Sequence, residues 1–186
     1  MTSGNPVTSG LANRADSLLV VIDIQERLMP AMAHRDTVLD NAKRLIAFSG
    51  IINLPIIVTE QEKLGPTILD LSRHAHPVRL IPKVAFNCFL SGQFDEAVRE
   101  SGRKTLILVG VEAHICVAQT ALRAVSQFNV HVVRDAISSR TVDNWDTAVE
   151  RMRSGGVTIT STEMIMYELL EQAGTDEFKS TLTLVK

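Results

Sequence analysis

The stretch KTLILVGVEAHICVAQTAL, from Lys104 to Leu122, decides the fold of this chain. Its first half is a continuous apolar run, which is typical of a strand buried on both faces of a parallel sheet. Its second half has the apolar spacing of a helix, and Cys116 lies where the strand gives way to that helix. The stretch therefore predicts a β-α unit, and its thiol is either a small core residue or a nucleophile presented for chemistry.

The same alternation of strand and helix extends through the rest of the chain. Buried strands are predicted in SLLVVIDIQ, LPIIVTE, PVRLIPK, VHVVRDA and VTITST, with helical patterns between and after them. This order predicts a three-layer α/β fold, in which helices cover both faces of a doubly wound and mainly parallel sheet. Residues 1–16 are polar and predict a flexible N-terminal arm, and residues 17–186 predict a single domain. The tail from Thr175 is interpreted either as a loose end or as an oligomer contact.

Composition excludes several classes of function. The 186 residues carry a net charge of -2, with one Trp and one Tyr, and no cluster of Lys and Arg favours a nucleic-acid partner. No apolar run approaches the roughly 18 to 20 residues that span a bilayer. Two cysteines and no secretory signal predict a reducing cytoplasmic location with free thiols, and a mitochondrial presequence has only weak support.

Three reactive residues fall at predicted strand ends, where ligands bind in parallel sheets. They are Asp23, Lys83 and Cys116. A helix N-terminus and a nearby ammonium lower a thiol pKa, so Cys116 is expected to be an activated nucleophile that forms an acyl-enzyme. Asp23 would be the general base, Lys83 would hold the thiolate and orient Asp23, and backbone N–H groups of Glu112 and Cys116 would bind the oxyanion. The structural alternatives are a capping Asp, a solvated Lys and a packing Cys.

Further residues are candidates for the substrate pocket. They are Gln25, Gln61, Phe86 and Val111. The alternative for Gln25 is a polar residue at a helix entry, and the alternative for Phe86 is core packing. Cys88 lies near Lys83 in sequence but has no strand-to-helix turn before it, so we interpret it as structural or incidental.

Three of these segments resemble a known family. VVIDIQERL, KVAFNCF and LVGVEAHICVAQTAL are similar to the signature blocks of the isochorismatase-like cysteine hydrolases, and most closely to the isochorismatase-domain-containing subgroup. The resemblance implies a six-stranded parallel sheet and an Asp–Lys–Cys triad on Asp23, Lys83 and Cys116. It also implies a non-proline cis peptide at Val111–Glu112 and a homo-oligomer.

Departures from the family narrow the activity. Metal-dependent nicotinamidases carry an Asp-x-His motif where this chain has VTEQEKLGPT, and His74 and His76 make a poor ligand pair, so no metal and no cofactor are expected. True isochorismatases tend to lack the cysteine. The resemblance and these departures from it thus imply a metal-independent hydrolase of a small amide or related acyl compound. The alternative is a non-catalytic binding or scaffold protein, whereas a nuclease has no support in the charge balance.

Overall fold

The computed structural model describes residues 10–71 and 78–185. Its strands are β1 Ser17–Ile22, β2 Ile56–Gln61, β3 Arg79–Lys83, β4 Thr105–Val111, β5 Asn129–Ser138 and β6 Thr158–Thr160. Its α-helices are α1 Arg35–Ile52, α2 Gly92–Glu100, α3 Ala118–Ala124, α4 Val142–Ser154, α5 Thr162–Leu170 and α6 Asp176–Val185. Short 3-10 turns cover Met29–Ala31 and Cys88–Leu90, and a π-helical turn covers Ala113–Val117.

The strands form one parallel sheet in the order β3-β2-β1-β4-β5-β6. The predicted six-stranded, doubly wound fold is therefore confirmed. Successive strands run outward from β1 to β3, and the chain then crosses to β4 on the other side of β1. The order of strands thus switches between β1 and β4, which is where sheets of this kind open a crevice at their carboxyl edge.

Alternate side chains of each central strand enter two separate apolar cores. In β1, Leu19 and Val21 face one core with α1, α5 and α6, while Leu18 and Val20 face the other with α2, α3 and α4. This follows from the period of two in a strand and explains why the strand segments are apolar without alternation. The sheet is covered on both faces, so its loop-bearing edges remain as the places for polar chemistry.

Both ends of the described chain pack on this domain. The backbone N–H of Ala12 donates to Glu168 at 3.0 Å, and Arg14 pairs with Glu177 at 2.9 Å, so these residues of the predicted arm contact α5 and α6. Residues 1–9 of the predicted arm lie outside the described residues. The tail forms helix α6, with Thr181 buried and Phe178 packed against the core. In the described ranges, no helix combines the length and apolar character needed to cross a membrane.

Candidate active site

Four neighbouring strands deliver polar side chains to one edge of the sheet. Asp23 directly follows β1, and Lys83 is the last residue of β3. Thr59 and Gln61 are among the last three residues of β2. Cys116 lies in the π-helical turn that follows β4. Because β2 lies between β1 and β3, its terminal side chains stand between Asp23 and Lys83.

A close approach of β4 to β1 builds the floor of this site. Gly110 has a φ of 116°, and a Cβ placed there would lie 2.0 Å from the carbonyl oxygen of Ile22. Only glycine accepts this conformation and this contact without strain. The residue after Ile22 is Asp23, which itself has a φ of 51°. The positions of Asp23 and of the loop after β4 are therefore linked through a single glycine.

Asp23 and Lys83 form a buried ion pair. Lys83 Nζ lies 2.6 Å from Asp23 Oδ2, and the two side chains are 0% and 1% exposed. Thr59 Oγ1 donates to the other carboxylate oxygen, Asp23 Oδ1, at 2.7 Å. Buried charges are tolerated when they are paired and hydrogen-bonded, and both oxygens of this carboxylate meet that condition.

The ammonium of Lys83 has a partner for each of its three hydrogens. It donates to Asp23 Oδ2 at 2.6 Å, to Gln61 Oε1 at 2.9 Å and to Cys116 Sγ at 3.7 Å. Burial by itself lowers the pKa of Lys83, but the carboxylate of Asp23 and the sulfurs of Cys88 and Cys116 together outweigh burial, and the pKa is raised above 10.5. Lys83 is thus a fixed positive charge between the carboxylate and the thiol.

The thiol of Cys116 does not have the lowered pKa that the sequence suggested. Burial, and then the carboxylate of Asp23, raise the pKa of Cys116 to about 12, while Lys83 acts in the opposite direction. The expectation was wrong because it counted the ammonium and left out desolvation and the nearby carboxylate. Cys116 is only 5% exposed, and it rests as a neutral thiol beside a base.

The loop before Cys116 is anchored by two side-chain contacts. The peptide bond Val111–Glu112 is cis, and the Glu112 carbonyl oxygen accepts the N–H groups of Ile115 at 3.1 Å and Val117 at 3.2 Å. The second of these bonds spans five residues and creates the π-helical turn, a feature common at functional sites. Arg140 Nε donates to Glu112 Oε2 at 2.9 Å, and the His114 ring contacts Ser139 Oγ at 2.9 Å.

The predicted pocket residues occupy different environments. Gln25 is 1% exposed, and its amide donates to the backbone oxygens of Gln61 at 3.0 Å and Gly65 at 2.6 Å, which occupies both of its N–H groups. Gln25 therefore supports the loop after β2. Val111 is fully buried, whereas the Phe86 side chain is 53% exposed. Of the four candidates, Gln61 is the one that contacts the Lys83 ammonium.

Cys88 is a second buried thiol close to the first. Its side chain is 0% exposed, and burial raises its pKa to about 11. Its backbone N–H donates to Thr120 Oγ1 at 3.0 Å. Its fully buried side chain in the 3-10 turn Cys88–Leu90 suits a packing role.

Sequence reasoning missed several contacts at this edge. Thr59 touches Asp23 and Arg140 touches Glu112, and neither Thr59 nor Arg140 was singled out from the sequence. Ser139, which contacts His114 in the loop before Cys116, was missed as well. Thr59 gave one usable signal, since it is the first polar residue after the apolar start of β2. His74 and His76, which were considered as metal ligands, lie outside the described residues. Within residues 10–71 and 78–185, no group of three His, Cys, Asp or Glu side chains is arranged to hold a metal ion.

Fold and site together define an α/β protein with a buried Asp, Lys and Cys at the carboxyl edge of a parallel sheet. The family model named Isochorismatase domain matches residues 17–164. The chain belongs to this family of hydrolases. It is 34% identical over 177 residues to the secreted isochorismatase effector Isc1 of Phytophthora sojae. The aligned region covers 91% of this chain and 84% of that protein.

Solved structures of similar proteins show the same architecture. The MAR1 ribonuclease of Caenorhabditis elegans is 30% identical with a TM-score of 0.87, covering 94% of this chain and 92% of that one. YcaC of Pseudomonas aeruginosa, solved with hexane-2,5-diol and covalent acrylamide, is 25% identical with a TM-score of 0.88. The match covers 95% of this chain and 92% of that one. The YcaC gene product of Escherichia coli, described as an octameric hydrolase of unknown specificity, is 26% identical with a TM-score of 0.87, over 94% and 88%.

Proposed function

We propose that this protein is a metal-independent cysteine hydrolase that cleaves a small amide or related acyl compound through a thioester intermediate. The observation that carries the proposal is the contact of one buried ammonium, Lys83 Nζ, with both Asp23 Oδ2 and Cys116 Sγ. A base, a nucleophile and a fixed positive charge are thereby joined in one site. Asp23 is the base, Cys116 the nucleophile, and Lys83 the charge that orients both.

The neutral resting thiol determines how the first step would proceed. With a Cys116 pKa of about 12, little thiolate is present at neutral pH, so the proton must leave as the bond forms. Asp23 takes the thiol proton while Sγ attacks the carbonyl carbon. The negative charge that develops on the carbonyl oxygen is accepted by the backbone N–H groups of Glu112 and Cys116. Lys83 remains protonated throughout, because its pKa is raised.

Protonated Asp23 then completes the cycle. It returns its proton to the leaving nitrogen as the C–N bond breaks, which leaves an acyl group on Cys116 Sγ and releases ammonia or an amine. A water molecule next attacks the thioester, Asp23 accepts the water proton, and the proton is passed to the departing Sγ. The products are a carboxylic acid and the free thiol of Cys116.

Covalent chemistry on a structural neighbour supports this assignment. The Pseudomonas aeruginosa YcaC structure holds covalent acrylamide, which is an amide and an electrophile that reacts with thiols. The Caenorhabditis elegans neighbour is named a ribonuclease, but we do not propose nuclease activity here, because a net charge of -2 does not favour the binding of a polyanion.

The experiment that tests the proposal compares two cysteine variants. Cys116→Ala should abolish ammonia release from a panel of small primary amides, while Cys88→Ala, the matched buried control, should retain it. Mass spectrometry of the wild-type enzyme quenched with a substrate should show an acyl adduct on the Cys116 peptide. Undiminished ammonia release by Cys116→Ala would remove the proposal.

A non-catalytic binding role is the second candidate, and the raised pKa of Cys116 is the observation that favours it. It predicts that the protein binds small amides but forms no adduct and releases no ammonia. Equilibrium binding measured by calorimetry, with the ammonia assay beside it, separates the two roles.

We also propose that the protein is a homo-oligomer in the cytoplasm. The octameric hydrolase from Escherichia coli supports assembly, and the exposed apolar side chains of Val84, Phe86 and Leu90 offer a contact surface next to the site. Both described cysteines are free, which suits a reducing compartment. Light scattering should give a mass that is a multiple of one chain, and a tagged protein in cells should be found in the cytoplasm.

A further inference from the structure

Gln61 has a contact that its predicted place in the substrate pocket does not explain. Its Oε1 atom accepts a hydrogen bond from Lys83 Nζ at 2.9 Å. Its Nε2 atom donates to the Val84 carbonyl oxygen at 2.6 Å. Gln61 thus links the Lys83 ammonium to the backbone that follows β3.

The two contacts fix the orientation of the amide. If the oxygen and nitrogen were exchanged, Nε2 would face the donor Nζ and Oε1 would face the acceptor oxygen of Val84. This exchange would remove both hydrogen bonds, and it would place a donor against a donor and an acceptor against an acceptor. The oxygen of Gln61 is therefore held against Lys83.

The backbone of Gln61 is also held in place. Its N–H donates to Gln25 Oε1 at 2.8 Å, and its carbonyl oxygen accepts from Gln25 Nε2 at 3.0 Å. The same Gln25 amide donates to Gly65 at 2.6 Å. Gln25 thereby ties the end of β2 to the segment after β1, so the Gln61 side chain starts from a fixed position.

We propose that Gln61 is a positioning residue that directs the Lys83 ammonium toward Cys116. An ammonium has three hydrogens in a fixed geometry. With one hydrogen on Asp23 and one on Gln61, the third is directed at Cys116 Sγ. The neutral amide does this without adding a negative charge that would oppose ionisation of the thiol. This inference rests on the proposed function for the nucleophilic role of Cys116.

The first test changes the charge of this acceptor and follows the thiol. Gln61→Glu places a second carboxylate on Lys83, and Gln127→Glu adds the same charge at an exposed turn as the control. Alkylation by iodoacetamide is followed at pH 8 on the Cys116 peptide. We expect Gln61→Glu to slow alkylation at least about tenfold, which corresponds to one unit of thiol pKa, and Gln127→Glu to leave it unchanged. Equal rates in the two variants would overturn the proposal.

The second test follows the ammonium and needs no reactive thiol. In protein labelled with 15N-lysine, a buried ammonium with three acceptors should show slow hydrogen exchange, and Lys83→Arg identifies its signal. Gln61→Met keeps the length of the side chain but removes the acceptor, so the Lys83 exchange rate should rise at least about tenfold. An unchanged exchange rate in folded Gln61→Met would contradict the positioning role.

These readouts are separate from turnover. If wild-type protein hydrolyses no amide but both contrasts appear, the proposed reaction fails and the role of Gln61 stands. If Cys116→Ala abolishes hydrolysis while Gln61→Glu alkylates at the wild-type rate and Gln61→Met leaves ammonium exchange unchanged, the reaction stands and Gln61 has no positioning role.

Discussion

Lys83 Nζ and Asp23 Oδ2 lie 2.6 Å apart in a site from which water is almost wholly excluded. Removing one partner leaves the other charge buried and unpaired, which typically costs about 3 to 5 kcal/mol. The pair therefore contributes to the stability of the fold as well as to the proposed chemistry.

We predict that Asp23→Asn and Lys83→Met each lower the free energy of unfolding by about 3 to 5 kcal/mol. The double variant should lose less than the sum of the two, because it leaves no isolated charge. Urea unfolding of the wild type, the two single variants and the double variant gives the coupling energy between Asp23 and Lys83. Strict additivity would mean that the two groups do not stabilise each other.

Alkaline pH should weaken the fold through its two thiols. The pKa of Cys116 is raised from 9.0 to about 12 and that of Cys88 to about 11, both first by burial. Between pH 9 and pH 11 the unfolded thiols lose protons that the folded ones keep. The free energy of unfolding should therefore be unaffected below pH 9 and fall above it, by about 1.4 kcal/mol per pH unit for each thiol.

The raised pKa of Lys83 acts in the same direction above pH 10.5, because the stability gained from its charge is lost as pH rises through the folded pKa. The measurement is urea unfolding of wild type and of Cys88→Ala/Cys116→Ala between pH 7 and pH 10.5. The difference between the two proteins should shrink above pH 9. Parallel curves over the whole range would show that the thiols do not titrate as their burial requires.

Replacement of Arg140 should lower the rate of catalysis without changing the reactivity of the Cys116 thiol. Its Nε atom holds Glu112, whose backbone N–H is proposed to bind the oxyanion. Arg140→Met should lower kcat for the best amide of the panel about tenfold or more, which is about 1.4 kcal/mol in the barrier. Alkylation of Cys116 by iodoacetamide displaces iodide and forms no oxyanion, so its rate should not change.

Arg153→Met, which removes an exposed arginine from α4, is the control for net charge and should match wild type in both assays. If Arg140→Met slows alkylation as much as turnover, the contact with Glu112 shapes the thiol environment and not the oxyanion site.

Asp23, Lys83 and Cys116 can be predicted from the sequence alone, because each ends or follows an apolar run and the carboxyl ends of parallel strands share one edge of the sheet. It does not lead to Thr59 on Asp23 or to Gln61 on Lys83. Those contacts arise because β2 lies between β1 and β3, and strand order depends on packing between distant segments. The raised thiol pKa was missed for a similar reason, since desolvation depends on what the whole fold places around Cys116.

The last prediction concerns the glycine beneath the site. In Gly110→Ala the new Cβ would meet the Ile22 carbonyl oxygen at 2.0 Å, and the φ of 116° would be strained for any side chain. Neither β1 nor β4 can move away from the other without displacing the site. The Ile22 carbonyl belongs to the backbone that leads into Asp23, and Gly110 leads into Val111–Glu112. We expect the variant to lose more than about 4 kcal/mol of stability or to fail to fold, measured by urea unfolding.

Gly92→Ala is the matched control, since a Cβ at Gly92 meets no heavy atom within 4 Å and the residue lies at the start of α2. It should change the free energy of unfolding by no more than about 0.5 kcal/mol. A folded Gly110→Ala protein of wild-type stability would show that β4 can retreat from β1. The link between Asp23 and the loop that carries Cys116 would then not depend on the close approach of these two strands.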